Sequence, residues 1–197
     1  MREITWLAFS LFLLINSIGN IPAYISLLHG IDQKKQVKIV IREMLIALFV
    51  IVLFRFLGEE FLSFLRVSQD TVLITGGMIL FLTAIKMVFP PEDMSETKDL
   101  RKEKEPFIVP LAIPLVAGPA VLAAVMIYAH QVTYFSFSLL IAIFIAWFFS
   151  LIILISSTML SKRLGERGLV AIQRLMGLIL LLMATEMFLQ GIKSFLL

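Results

Sequence analysis

The chain has 197 residues, 60% of them hydrophobic and only 16% charged, with a mean hydropathy of +1.00. A soluble domain of that length has no core large enough to hide so much apolar surface, so the bilayer must act as part of the solvent. The lack of cysteine excludes disulfides and thiolate metal sites. The formal net charge of +3 sits in particular loops, which argues against a nucleic-acid partner.

About 20 apolar residues suffice to span a membrane as a helix, and six runs reach that length. They are Ile4–Leu28, Val37–Leu57, Val72–Phe89, Phe107–Tyr128, Phe135–Leu160 and Leu169–Phe188. Strands of a membrane barrel would alternate over about ten residues, whereas these runs are continuous. The expected fold is an all-α membrane protein of six transmembrane helices, forming one integral membrane domain over residues 1–197.

The first run begins like a signal peptide, with Arg2 ahead of apolar residues. No small-residue cleavage site follows, so it is expected to stay as a span. Its middle reads "INSIGNIPAY", which places Asn16, Ser17, Gly19, Asn20 and Pro22 where lipid solvates polar groups worst. Backbone freed by such a break costs several kcal/mol per unsatisfied group in hydrocarbon, so it persists only where protein, water or a ligand supplies partners. Asn20 is expected to cap a second half-helix, with Pro22 in its first turn.

Between the third and fourth runs, "PPEDMSETKDLRKEKE" carries ten charged residues in sixteen. It reads as a solvated linker over residues 90–106, dividing a first repeat (1–89) from a second (107–197). The fourth run, "PLAIPLVAGPAVLAAVM", is interrupted like the first, by Pro110, Pro114, Gly118 and Pro119. Gly118 is expected to take the strained backbone there, and Pro119 to open a half-helix.

The third and sixth runs align at an offset of one hundred: Gly77 on Gly177, Leu80 on Leu180, Ala84 on Ala184, Met87 on Met187. An odd number of spans per half makes the second half enter the membrane upside down. Helices 1 and 4 would then be broken at corresponding positions of an inverted-topology repeat, which points to a transporter's binding site. The opposed half-helix ends suit a zwitterion: N-termini for its carboxylate, freed carbonyls for its ammonium group. That site is expected to be built from dipoles, with no charged side chain near it.

Thirteen Lys and Arg residues fall on the side that holds the linker, and Arg2, Arg55, Arg66 and Lys193 on the other. Basic residues gather in the cytoplasm, so both termini are expected outside it and the protein in the plasma (inner) membrane. Lys86 and Glu186 lie near span ends and read as interfacial, snorkelling groups. Gly77 with Ala84, and Gly177 with Ala184 and Gly191, read as a close-packing seam. Ser156, Ser157 and Thr158 are candidates to line a pathway, and Trp6, Tyr128 and Tyr134 to anchor the interfaces.

"NSIGNIP", "TGGMILFLTAI", "PLAIPLVAGP" and "RLMGLIL" together resemble the MarC family of bacterial and archaeal membrane proteins, over essentially the whole chain. The resemblance implies a six-helix inverted repeat with a central site at the broken helices. It also implies transport of small neutral amino acids such as glycine and alanine, coupled to a cation gradient, as regarded for archaeal relatives. The residues carried over are Asn16, Gly19, Asn20, Pro22, Gly118 and Pro119, and Ser17 joins them as a substrate-binding candidate. Three positions depart from the family pattern: Ser17 where proline is common, Ala120 in "GPA" where "GPG" is usual, and Glu186 where a neutral polar residue is usual.

The function expected is therefore secondary transport of a small zwitterion, with no cofactor. Coupling to Na⁺ is expected ahead of H⁺, because Glu186 is the only titratable candidate within the spans and its place near the outer end of the sixth argues against a midplane proton relay. The alternatives are a channel or pore, and a membrane protein without transport activity. An enzyme is not expected, since His29 and His130 lie at loop edges on opposite sides and no catalytic or metal cluster stands out. Substrate identity, the direction of transport and the oligomeric state are not legible.

Overall fold

The computed structural model describes residues 2–28, 31–89, 116–131 and 137–196, and these are helical with short connections. In chain order the helices are α1 (Arg2–Ile15), α2 (Ile21–Leu27), α3 (Gln33–Leu65), α4 (Gln69–Val88), α5 (Pro119–Gln131), α6 (Phe137–Ile155) and α7 (Ser157–Leu196). Helix therefore falls on each of the six apolar runs. The linker, the first half of the fourth run with Pro110 and Pro114, His29 and Tyr134 lie outside the described residues. Gln69–Val88, Phe137–Ile155 and Arg167–Leu196 are long and apolar enough to cross a membrane unaided, while Ile4–Ile15 and Pro119–Ala129 are shorter apolar helices.

Several helix ends differ from the sequence expectation. Asp32 caps α3 by accepting a hydrogen bond from the Lys34 amide at 3.2 Å. The helix then runs 33 residues, about 50 Å at 1.5 Å per residue, well past the apolar stretch. It stops at Arg66, which takes the left-handed conformation (φ 55°), and Ser68 caps α4 through the Thr71 amide at 3.2 Å. The turn between the fifth and sixth runs is made at Gly165 (φ 66°, ψ 175°), a backbone conformation that glycine adopts without a Cβ penalty. Ser156 is only a bend, because its amide bonds the Ile152 carbonyl and its own carbonyl accepts from Leu160.

Packing follows the apolar faces. Leu7, Ala8, Leu11, Leu14 and Ile15, spaced at three and four, form the buried stripe of α1. That helix lies against α6, whose Leu139, Ala142, Ile143 and Ala146 are likewise buried. Trp147 of α6 donates its indole N–H to the Met44 carbonyl of α3 at 2.7 Å. The opposite faces of α3, α4, α6 and α7 expose large apolar side chains such as Phe49, Phe81, Phe148 and Leu182, as lipid contact requires.

The longest contact joins α4 to α7. A Cβ on Gly77 would lie 2.9 Å from the Ala184 carbonyl oxygen, and one on Gly177 would lie 3.1 Å from that of Ala84. These two contacts are the same contact under an exchange of residues one hundred apart. The seam read from the glycine and alanine spacing is thus the α4–α7 interface, with Gly191 closing it against Ile74.

Candidate functional site

The first span is broken. Helix α1 ends at Ile15, residues 16–20 form turns, and α2 resumes at Ile21. The device that ends α1 is Asn16, held at φ 53°. Asparagine tolerates the left-handed region better than other side chains and serves there as a helix stop. Its side-chain N–H donates to the Met87 sulfur of α4 at 3.1 Å, and its Oδ1 is buried. Gly19 fits between Met87 and the Asn16 amide, with no room for a Cβ.

Asn20 sits at the cap position of α2 with Pro22 in the first turn, as expected, but its side chain does not cap the helix. It turns back instead and donates to the Ile15 carbonyl at 3.3 Å. The Asn16 carbonyl accepts from the Asn20 amide, and that of Ile18 from Ile21. The Ile15, Asn16 and Ile18 carbonyls at the break are therefore occupied. The unsatisfied acceptors at the break are side chains: Asn16 Oδ1 and Ser17 Oγ, both buried, have no hydrogen-bond partner among the described residues.

In the fourth span, α5 starts at Pro119, and the Gly118 carbonyl accepts from the Leu122 amide at 3.1 Å. Gly118 is not in the left-handed region; among the described residues only Asn16, Arg66 and Gly165 are. The strained position is thus in the first break. The start of α5 packs on α4 at Gly76, where an added Cβ would lie 3.0 Å from Ala123, 3.5 Å from Met187 and 3.7 Å from the Ala120 Cα. Met87 borders the first break and Met187 borders α5, again one hundred residues apart. Ala120 is buried in this contact.

One turn into α2, Tyr24 is fully buried, and Glu43 of α3 acts on it electrostatically. Glu43 is 0% exposed. Its Oε1 is held by Arg42, with N–O distances of 2.9 Å from both Nε and a terminal nitrogen. Its Oε2 and the Tyr24 hydroxyl have no hydrogen-bond partner among the described residues. The sequence reading did not note this acidic side chain, which acts on Tyr24 one turn into α2. A buried carboxylate stands beside the second half-helix.

A family model described as the MarC family integral membrane protein matches residues 1–196. The chain belongs to the MarC family. It is 47% identical over 193 residues to the UPF0056 inner membrane protein YhgN of Escherichia coli (strain K12), covering 98% of each chain. A UPF0056 membrane protein of Buchnera aphidicola (strain APS) is 46% identical over 194 residues, again 98% of both. One from Chlamydia pneumoniae is 38% identical over 182 residues, 92% of this chain and 90% of the relative. No solved structure matches the chain.

Sequence reasoning missed two interior charges of this MarC-family protein, Glu43 and Arg55. Arg42 and Arg55 entered the orientation count as flanking residues, yet both lie within α3, and Arg55 is only 5% exposed. Removing both leaves the asymmetry between the two sides intact. Tyr128 is no simple interfacial anchor either, since its hydroxyl bonds Ser10 of α1 at 2.9 Å. Ser157 is buried and Ser156 exposed. The signal that could have found Glu43 is the spacing Val40, Met44, Ala47, Ile51: these residues mark the buried face of α3, and Glu43 falls on its edge.

Proposed function

We propose that this protein is a secondary transporter of small neutral amino acids such as glycine and alanine. It would work in the inner membrane, the location printed in the name of the Escherichia coli relative. The observation that carries the reading is the break at residues 16–20, where Asn16 and Ser17 keep buried oxygen acceptors without partners among the described residues. Polar atoms left open inside a span are costly unless a ligand or water completes them. The reciprocal Gly77–Ala184 and Gly177–Ala84 contacts support two inverted three-helix repeats around that break.

In this reading the substrate ammonium takes the oxygens of Asn16 and Ser17. Its carboxylate takes the amides of Gly118, Ala120 and Val121 at the N-terminus of α5, which Pro119 opens, because α2, with seven residues, has little dipole to offer. Glu43 is the group through which a coupling cation acts, which puts H⁺ on an equal footing with Na⁺. Both termini face away from the cytoplasm and the linker lies within it.

Uptake of labelled glycine and alanine by proteoliposomes, under an imposed Na⁺ gradient or an imposed pH gradient, tests this. The expected result is saturable uptake driven by one gradient, lost in Asn16→Ala and uncoupled from the gradient in Glu43→Gln. No uptake of any amino acid in a panel, under either gradient, would refute it.

A further inference from the structure

Glu186 was expected near the end of its span, where a carboxylate reaches the interface cheaply. The helix instead continues ten residues beyond it, to Leu196. That is about 15 Å of further helix beyond Glu186. Glu186 Oε1 accepts from Gln190 at 2.8 Å, a neutral donor that leaves the charge in place. Among the described residues it has no ion-pair partner. The Glu186 side chain is exposed, so a cation can reach its carboxylate.

The carboxylate lines a cleft of about 590 Å³ between α1, α5 and α7. The same cleft is lined by Trp6 and Tyr128, their rings edge to face with centroids 5.8 Å apart, and Ser10 fixes the Tyr128 hydroxyl at 2.9 Å. Trp6 is 61% exposed. Leu14 and Leu182 supply apolar wall. A carboxylate and aromatic rings lining one cleft are the groups that recognise an organic ammonium, by charge and by ring quadrupole. The same carboxylate repels anions. The volume falls in the range of roughly 300–1,000 Å³ typical of pockets for drug-sized ligands, larger than glycine or alanine needs.

We propose that this cleft is a second binding site, separate from the helix break, for an organic ammonium. Glu186 neutralises the cation, and Trp6 and Tyr128 pack against it. The ammonium can come from a soluble amine or from an ethanolamine lipid headgroup. The site stands on its own residues and does not depend on amino-acid transport.

The chain has two tryptophans, and the other, Trp147, is committed to the α3–α6 contact. Tryptophan emission of the full-length protein in neutral maltoside detergent therefore reports on the cleft, with Trp6→Phe assigning the signal. The titrants are choline, its neutral carbon isostere 3,3-dimethylbutan-1-ol, and dihexanoyl phosphatidylethanolamine against dihexanoyl phosphatidylglycerol. The expected result is a saturable change with choline or the ethanolamine lipid, absent in Trp6→Phe and weakened roughly tenfold in Glu186→Gln. Response to choline identifies a soluble ligand; response to the ethanolamine lipid alone identifies a headgroup. Glu186→Gln keeps a side chain that can still bond Gln190, and an unchanged elution volume verifies its fold. Equal responses to choline and the alcohol, equal responses to the two lipids, no response at all, or an unaffected Glu186→Gln variant would each overturn the proposal.

Discussion

Gly77→Ala probes the α4–α7 interface where it is tightest. The new Cβ would meet the Ala184 carbonyl oxygen at 2.9 Å, the Phe188 nitrogen at 3.0 Å and the Phe188 Cα at 3.3 Å. All three are backbone atoms, so no side chain can swing away, and the helices must part by about 0.5 Å. Overpacking of this kind costs roughly 1–3 kcal/mol. Replacing glycine by alanine in a helix interior returns up to about 1 kcal/mol, leaving a net loss of about 1 kcal/mol. Gly177→Ala should lose a similar amount, since its Cβ would meet Val88 at 2.9 Å, Met87 at 3.0 Å and the Ala84 carbonyl at 3.1 Å. Gly168→Ala is the control: its nearest neighbours are Leu164 side-chain atoms, the first at 3.1 Å, which can move. Thermal unfolding of the three variants in one detergent should rank Gly168→Ala at or above the parent protein and both seam variants below it. If Gly77→Ala melted with Gly168→Ala, the close approach of α4 and α7 would be wrong.

Asn16→Gly keeps a residue suited to φ 53°, while Asn16→Ala adds left-handed strain of roughly 1–2 kcal/mol. The alanine variant should therefore unfold at the lower temperature, and identical midpoints would remove Asn16 as the stop of α1. Trp147→Phe takes the 2.7 Å donor from the Met44 carbonyl and should cost about 1 kcal/mol in the same assay; no change would mean the bond contributes nothing. Accessibility labelling of tags at both termini in intact cells should find each outside the cytoplasm. A cytoplasmic C-terminus would reverse the topology.

The break in the first span was legible because Asn16, Gly19, Asn20 and Pro22 oppose a continuous helix whatever surrounds them. The α4–α7 seam was legible for a related reason: small residues every seven positions mark a line along one helix face. Which residue took the left-handed turn was not legible, because Asn16 and the nearby glycine both permit it, and Met87, far along the chain, fills the space beside them. The reach of α7 was missed because Gln190, Lys193 and Ser194 dilute hydropathy without stopping a helix. Glu43 was missed for a different reason. A sequence gives a charge its place along a helix, but whether it faces water or the bundle depends on what packs there, here Tyr24 of α2 and the Arg42 guanidinium.

Counterflow separates a carrier from a pore most directly. Proteoliposomes loaded with excess unlabelled glycine or alanine are diluted into trace label, with no ion gradient imposed. A carrier with an alternating site at the α1–α2 break should accumulate label transiently above equilibrium, with saturable dependence on the internal amino acid and loss of the overshoot in Asn16→Ala. Label that only equilibrates, at a rate linear in concentration and unchanged by that substitution, would contradict transport through the break.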